Sequence, residues 1–379
     1  MGLYRFAERQ TNLASPQRLD SSKNVPLNIQ SRVSDDPTFR WNVSTHTLPD
    51  RNSLKKIQML NGTDGWMSAY PTGLYRTFNA GETWEPIALD LQQRTYVTDI
   101  FFATSKVGWV AVSRTESDFD PTKGKDNNDD ATWIMETTDG GKKWRERLSL
   151  EGAQITQIHF VANNEGWATG RRFGKAPTSD TNLILHTNDS GRNWTDISGK
   201  LPTSGAGVDQ FHAIGPSRAL LLTLSGFVYS TTDGGQSWHQ DDVFRDRHEQ
   251  TAIHRIGVTG DGQLWLLGGT SGLEGTWSIL AFENKDTNWA RYEIGGMDLS
   301  DAVFLSQDQV LACGSISPDK SESTRQGVIL YSTDQGKNWV IVYRDRLSPG
   351  LNALTVIDSE SKHILAVGER GLIVQIDSP

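Results

Sequence analysis

The side chains best placed for chemistry in this 379-residue chain are arginines. Arg114, Arg171, Arg172 and Arg370 fall where a second strand turns into a third within a repeat described below. Arg94, Arg245, Arg247, Arg344 and Arg346 fall between repeats, the last four in two Arg-Asp-Arg tripeptides. Guanidinium forks pair carboxylates and phosphates bidentately, so nine such groups gathered toward one end of a rigid body would hold an acidic partner. The competing arrangement is a solvated rim, in which Asp246 and Asp345 neutralise their neighbours. Other chemistry is harder to assemble. A glycosidase needs two carboxylates at a set separation, and 46 acids leave that pair unassigned. The eight histidines show no HExxH-like spacing, so neither a metal nor a cofactor is expected, and His159, His186 and His254 read as strand residues. The acidic insert at 116–130 has oxygen donors but lacks the glycine and terminal glutamate of a calcium loop, and reads as a solvated loop.

Bulk composition narrows the partners. With Lys+Arg 37 against Asp+Glu 46, the net charge of −9 disfavours coating nucleic acid or an anionic bilayer. The one cysteine, Cys313, excludes an internal disulfide and a cysteine-rich zinc site, and reads as a small buried side chain. No window reaches the roughly 18 consecutive apolar residues of a membrane span. The first twenty residues are polar and charge-broken, without the apolar core of a signal peptide, so a cytoplasmic protein is expected as written, or a periplasmic or lumenal one if a leader has been removed. Residues 1–36 read as a flexible arm or peripheral wrap preceding a domain at 37–379, and a monomer is expected.

The positioning elements come from a repeat. Thirteen Trp and 36 Gly accompany a hydrophobic content of only 36%, and aligning on tryptophan exposes TFNAGETW at 77–84, TTDGGKKW at 137–144, TNDSGRNW at 187–194, TTDGGQSW at 231–238 and STDQGKNW at 332–339. The pattern is [ST]-x-[DN]-x-G-x-x-W, and FENKDTNW at 282–289 is a degenerate sixth copy. Asn79, Asp139, Asp189, Asp233 and Asp334 are expected to accept backbone N–H groups two or three residues on, closing a tight turn. The following glycines supply positive φ. Trp84, Trp144, Trp194, Trp238 and Trp339 then open the outgoing strand and bury a large ring. These acids are turn formers, and no catalytic residue is assigned.

Upstream of the boxes lie alternating hairpins, such as VTDIFFATSKVGWVAV at 97–112, with Gly-Trp opening the second strand. Four strands over about 50 residues is the size of a propeller blade. Six such units run from Leu54 to Arg346, and a seventh, from Leu351, ends after three strands. FRWNVSTHTLP at 39–49 puts Trp41 43 residues before Trp84, near the 44 to 60 that separate successive box tryptophans. An all-β, seven-bladed propeller follows, closed by an N-terminal strand in the last blade. Boxes and first turns then share one face. The opposite face carries the long inserts Ser113–Ala131, Arg171–Asn182, Gly269–Gly275 and Ser315–Gln326, together with the arginines.

The boxes resemble the Asp-box repeats of sialidases, Vps10-type sorting receptors and xyloglucan hydrolases. Combined with Gly65-Trp66, Gly108-Trp109, Gly166-Trp167 and VGERG at 367–371, they more closely resemble the photosystem II assembly factor family called Ycf48 or HCF136, over about residues 39–379. That resemblance implies a non-enzymatic propeller that holds a partner protein, such as a membrane-complex subunit. The alternative is a carbohydrate-active propeller. A sialidase would need an F/Y-R-I-P motif, which TFRWN at 38–42 and VFRDR at 243–247 do not match.

Overall fold

A computed structural model describes residues 28–30, 32–34, 41–89, 95–114, 130–161, 164–174, 180–202, 207–224, 227–241, 252–259, 262–272, 275–283, 289–316, 325–345, 350–358 and 363–377. Period-two apolar residues drive four-stranded antiparallel sheets, seven of which form a ring. Blade 1 runs Ser53–Met59, Gly65–Tyr70, Leu74–Thr77 and Glu85–Pro86. Blade 2 runs Thr95–Phe102, Gly108–Arg114, Ala131–Thr137 and Arg145–Glu151, and blade 3 runs Ala153–Phe160, Gly166–Arg172, Thr181–Thr187 and Thr195–Asp196. Blade 4 runs Val208–Ala213, Ala219–Thr223, Val228–Thr231 and His239–Asp241. Blade 5 runs Ala252–Val258, Leu264–Gly272, Gly275–Glu283 and Trp289–Gly295, and blade 6 runs Met297–Phe304, Val310–Ile316, Gln326–Ser332 and Asn338–Asp345.

Blade 7 takes Leu351–Asp358, His363–Gly368 and Leu372–Asp377 from the C-terminus and Asn42–Thr47 from the N-terminus, with Asn42 opposite Asp377 and Thr47 opposite Leu372. Trp41 enters this blade with its ring edge-on to Tyr331, 5.1 Å between centroids. Further upstream, Asn28–Gln30 pairs in parallel with the outer strand of blade 5 and Arg32–Ser34 with that of blade 6. Part of the segment expected to be an arm or wrap thus supplies fifth strands that cover two sheet edges.

The Gly-Trp pairs explain how blades adhere. Gly108 stands opposite Phe102 across its hairpin, and a Cβ there would lie 2.0 Å from the ring, so only glycine lets the ring lie flat. The freed Phe102 face stacks on Trp66 of blade 1, and Phe160 likewise stacks on Trp109 of blade 2 at 3.9 Å. Box tryptophans Trp144 and Trp194 meet the same two phenylalanines edge-on. Each wedge between these blades is therefore an aromatic triplet, in which large apolar area leaves water and the ring quadrupoles are matched.

Every first strand carries a bulge at the same slot, skipping Lys55, Thr98, Thr156, Asp209, His254, Ser300 and Asn352 in the pairing with its second strand. In blades 1, 2, 3, 5 and 6 the next residue reaches to the following blade. Lys56 pairs with Asp99, whose carboxylate accepts the Ile158 N–H at 2.9 Å. Gln157 accepts the Phe211 N–H and receives no charge in doing so. Arg255 donates to Asp301 at 3.0 Å, and Asp301 accepts the Leu354 N–H at 3.1 Å. Bulges thus aim polar side chains around the channel wall, joining blade to blade. Among the described residues no helix is long and apolar enough to cross a membrane.

Candidate binding face at the channel mouth

The boxes prove to be two-residue left-handed turns. Box positions four and five both have positive φ, 60° and 87° at Ala80 and Gly81, and 66° and 75° at Ser190 and Gly191. The first-position hydroxyl accepts the glycine N–H at 2.8–3.0 Å in all five boxes. The acid or amide accepts the N–H four residues on, of Thr83, Lys143, Asn193, Ser237 and Asn338, at 2.8–3.0 Å. This reach is longer than the two or three residues read from the sequence, because the left-handed pair inserts an extra bend. The Asn193 backbone N–H and side chain hold Asp189 down to about 2, and the Ser237 hydroxyl and N–H do the same for Asp233. Position four donates its N–H to the first turn of its own blade, as Gly140 does to the Lys106 carbonyl at 2.9 Å, so boxes and first turns do share a face.

The opposite face carries the described arginines. Arg114 ends the second strand of blade 2 with its guanidinium over the Trp133 ring at 5.5 Å. Arg171 and Arg172 end the second strand of blade 3, inside the strand and not in the loop expected from sequence. Arg172 pairs with Asp196 at 2.7 Å. Arg171 donates its Nε to Gln154 at 3.2 Å, lies over the Phe173 ring and stands 3.8 Å from Asp180. Arg344 donates to Gln326 at 2.8 Å, and Arg370 is exposed at φ 57° in the last turn of blade 7. Arg94, Arg245, Arg247 and Arg346, with most of the 116–130 insert, lie outside the described residues. Most of Gly269–Gly275 is not a loop insert, since strands Leu264–Gly272 and Gly275–Glu283 pair as far as Gly272 opposite Gly275.

Sequence reasoning missed Arg325, which donates to Ser315 at 2.7 Å and lies 3.6 Å from Asp298 and 3.5 Å from Glu369. Arg171 and Arg325 have matching settings. Each comes from the blade before a glycine that precedes a first strand, Gly207 in blade 4 and Gly350 in blade 7, at φ 118° and 151°. A Cβ on Gly207 would meet Arg171 at 2.7 Å, and one on Gly350 would meet Arg325 at 3.6 Å. The signal was a glycine just before the first strand of a blade, which composition alone does not single out.

Two carboxylates of the channel wall are committed to structure. Asp99 and Asp301 each neutralise a cation and accept a backbone N–H. Burial, the neighbouring His212 and Lys56 push His159 down to about 3, and burial and Lys56 push His212 to about 4, so both rings are neutral near pH 7. Burial raises Asp209 to about 6, with Arg255 opposing.

Comparison with known proteins gives a family model described as photosynthesis system II assembly factor YCF48, matched by residues 128–243. The photosystem II assembly lipoprotein Ycf48 of Synechococcus sp. (strain CC9902) is 38% identical over 143 residues, 35% of this chain and 39% of the relative, so the matched stretch spans less than half of that protein. A solved structure titled YCF48 bound to D1 peptide superposes with a TM-score of 0.63 at 17% identity, covering 92% of this chain and 100% of the other. The GH74 xyloglucanase from Xanthomonas campestris shares the architecture at a TM-score of 0.59 and 13% identity, over 88% of this chain and 53% of the enzyme. At such identities the superpositions speak for the fold alone. The chain is thus a seven-bladed Asp-box propeller whose matched repeats are similar to those of the Ycf48 and HCF136 proteins.

Proposed function

We propose that this propeller is a non-enzymatic assembly factor that holds an acidic segment of a partner protein against the arginine-bearing mouth of its channel. The observation that carries the reading is the placement of Arg171 beside Gly207 and of Arg325 beside Gly350 on one face, in a protein whose net charge is −9. The acidic body repels an acidic segment elsewhere and leaves this face as the place of attraction. The names of the relatives supply the partner class: a subunit of a membrane complex of the photosystem II kind, as in the YCF48 structure with D1 peptide.

A glycosidase reading draws on the xyloglucanase likeness in fold. Against it, Asp99 and Asp301 are spent on neighbouring cations and backbone N–H groups, which leaves neither as a general acid. The test is capture of partner from native membranes. Reversing Arg171, Arg172 and Arg344 to Glu is expected to abolish capture while the thermal melt is retained, and capture by the parent protein is expected to fall steeply with salt. Hydrolysis of xyloglucan oligosaccharides, lost on one Asp or Glu substitution, would overturn the proposal.

A further inference from the structure

The same face carries an apolar row that the arginines alone do not explain. Five large hydrophobic side chains are exposed among the described residues, and three of them, Tyr70 at 52%, Leu224 at 49% and Phe227 at 45%, sit at tips of second-to-third-strand turns on this face. They belong to blades 1 and 4, and the intervening blades connect them. Tyr70 stands edge-on to Tyr96 of blade 2 at 5.7 Å, and the Tyr96 hydroxyl accepts from Gln154 of blade 3 at 2.7 Å. Gln154 in turn accepts from Arg171, and the Arg171 stem and Leu224 flank the same bare Cα of Gly207. Phe227 lies beside the end of the same second strand, its N–H donated to the Thr223 hydroxyl at 3.2 Å.

We infer that this row, from Tyr70 through Arg171 to Phe227, is a reading strip for an extended peptide in which apolar side chains flank a carboxylate. The inference rests on the assembly-factor reading and adds to it what the partner segment must contain. The polar centre of the strip offers one cation, Arg171, whose side chain is 36% exposed and stands 3.8 Å from the Asp180 carboxylate, while both ends are apolar. Tyr rings and an aliphatic tip present rigid area at low entropic cost, which is what a docking surface uses to hold apolar anchors. A peptide carrying only charge would satisfy the arginine and leave three apolar groups wet. One with an apolar residue on each side of its acid would cover all of them.

The test uses two fluorescein-labelled, ten-residue synthetic peptides of equal charge, one with leucines flanking a central aspartate and one with serines at those places, titrated by anisotropy against the full chain. The leucine peptide is expected to bind at least tenfold more tightly. Leu224→Ser combined with Phe227→Ser is expected to erase that advantage without changing the salt dependence, whereas Arg171→Glu weakens both peptides. Because Tyr70, Leu224 and Phe227 are exposed, a thermal melt of their variants within about 1 °C of the parent certifies the fold. Equal affinity for the two peptides would overturn the strip and leave the arginine reading standing, and no binding of either would overturn both. Tyr70→Ser, with an unchanged melt and an unchanged leucine preference, would remove blade 1 from the strip and overturn its stated extent.

Discussion

Trp66 of blade 1 lies flat on Phe102 of blade 2, with 3.8 Å between ring centroids and 5° between planes. Both rings are almost entirely buried, and the contact crosses a blade boundary. Phe102→Ala is expected to cost about 3–5 kcal/mol, since it removes a filled core volume and leaves Trp66 facing a void. A double-mutant cycle with Trp66→Leu, read by urea denaturation, should yield a coupling of about 0.5–1.5 kcal/mol.

Closure by the N-terminal strand is the next point of test. Deleting residues 1–48 strips Asn42–Thr47 from Leu372–Asp377 and exposes an apolar strand edge. The truncated protein is expected to elute as aggregate or to melt well below the parent. A monomer of unchanged melting temperature would contradict the closure.

Asp189→Ala removes an acceptor for the Asn193 N–H, the Asn193 side chain and the Thr187 hydroxyl. By analogy with a lost helix cap, the cost is about 0.5–2 kcal/mol, with partner capture retained. The pH dependence has a definite sign. Folded Asp189 and Asp233 titrate near 2, below the ordinary carboxylate, so their stabilisation is present above pH 4 and drains away as pH falls from about 4 toward 2. In the Asp189→Ala variant that acid-side slope should be shallower.

Asp209 should behave in the opposite sense. Its folded value of about 6 lies above the unfolded one, so the protein binds that proton more tightly when folded, and stability drops as pH rises from about 4 through 6. Asp209→Asn is expected to flatten this drop and to raise stability at pH 7.5 by about 1 kcal/mol, less than the full linkage value because the group is partly solvated.

Asp301→Ala leaves the partly buried Arg255 guanidinium without the carboxylate that holds it, and frees the Leu354 N–H. A loss of about 3–5 kcal/mol is expected, measured by chemical denaturation.

The blade count, the closing strand and the box turns were legible in the sequence because each is set by short-range spacing. Alternation at period two makes the strands, and a hydroxyl, an acid and a glycine within five residues make the turn. Even there the sequence understated the geometry, since position four also adopts positive φ at Ala80, Ser190 and Gln335, residues with no preference that announces it. The face that bears Arg114, Arg171, Arg172, Arg344 and Arg370 followed from strand direction alone. What each arginine does there was decided by tertiary structure. Arg172 is bound to Asp196, 24 residues away in sequence, whereas Arg171 stands at an opening made by Gly207 of the next blade. Tyr70, Tyr96, Gln154 and Leu224 come from four blades and meet only because the ring brings turn tips side by side. No local pattern encodes that meeting, since the blade-to-blade rotation that produces it is set by how Trp66 and Trp109 pack against Phe102 and Phe160.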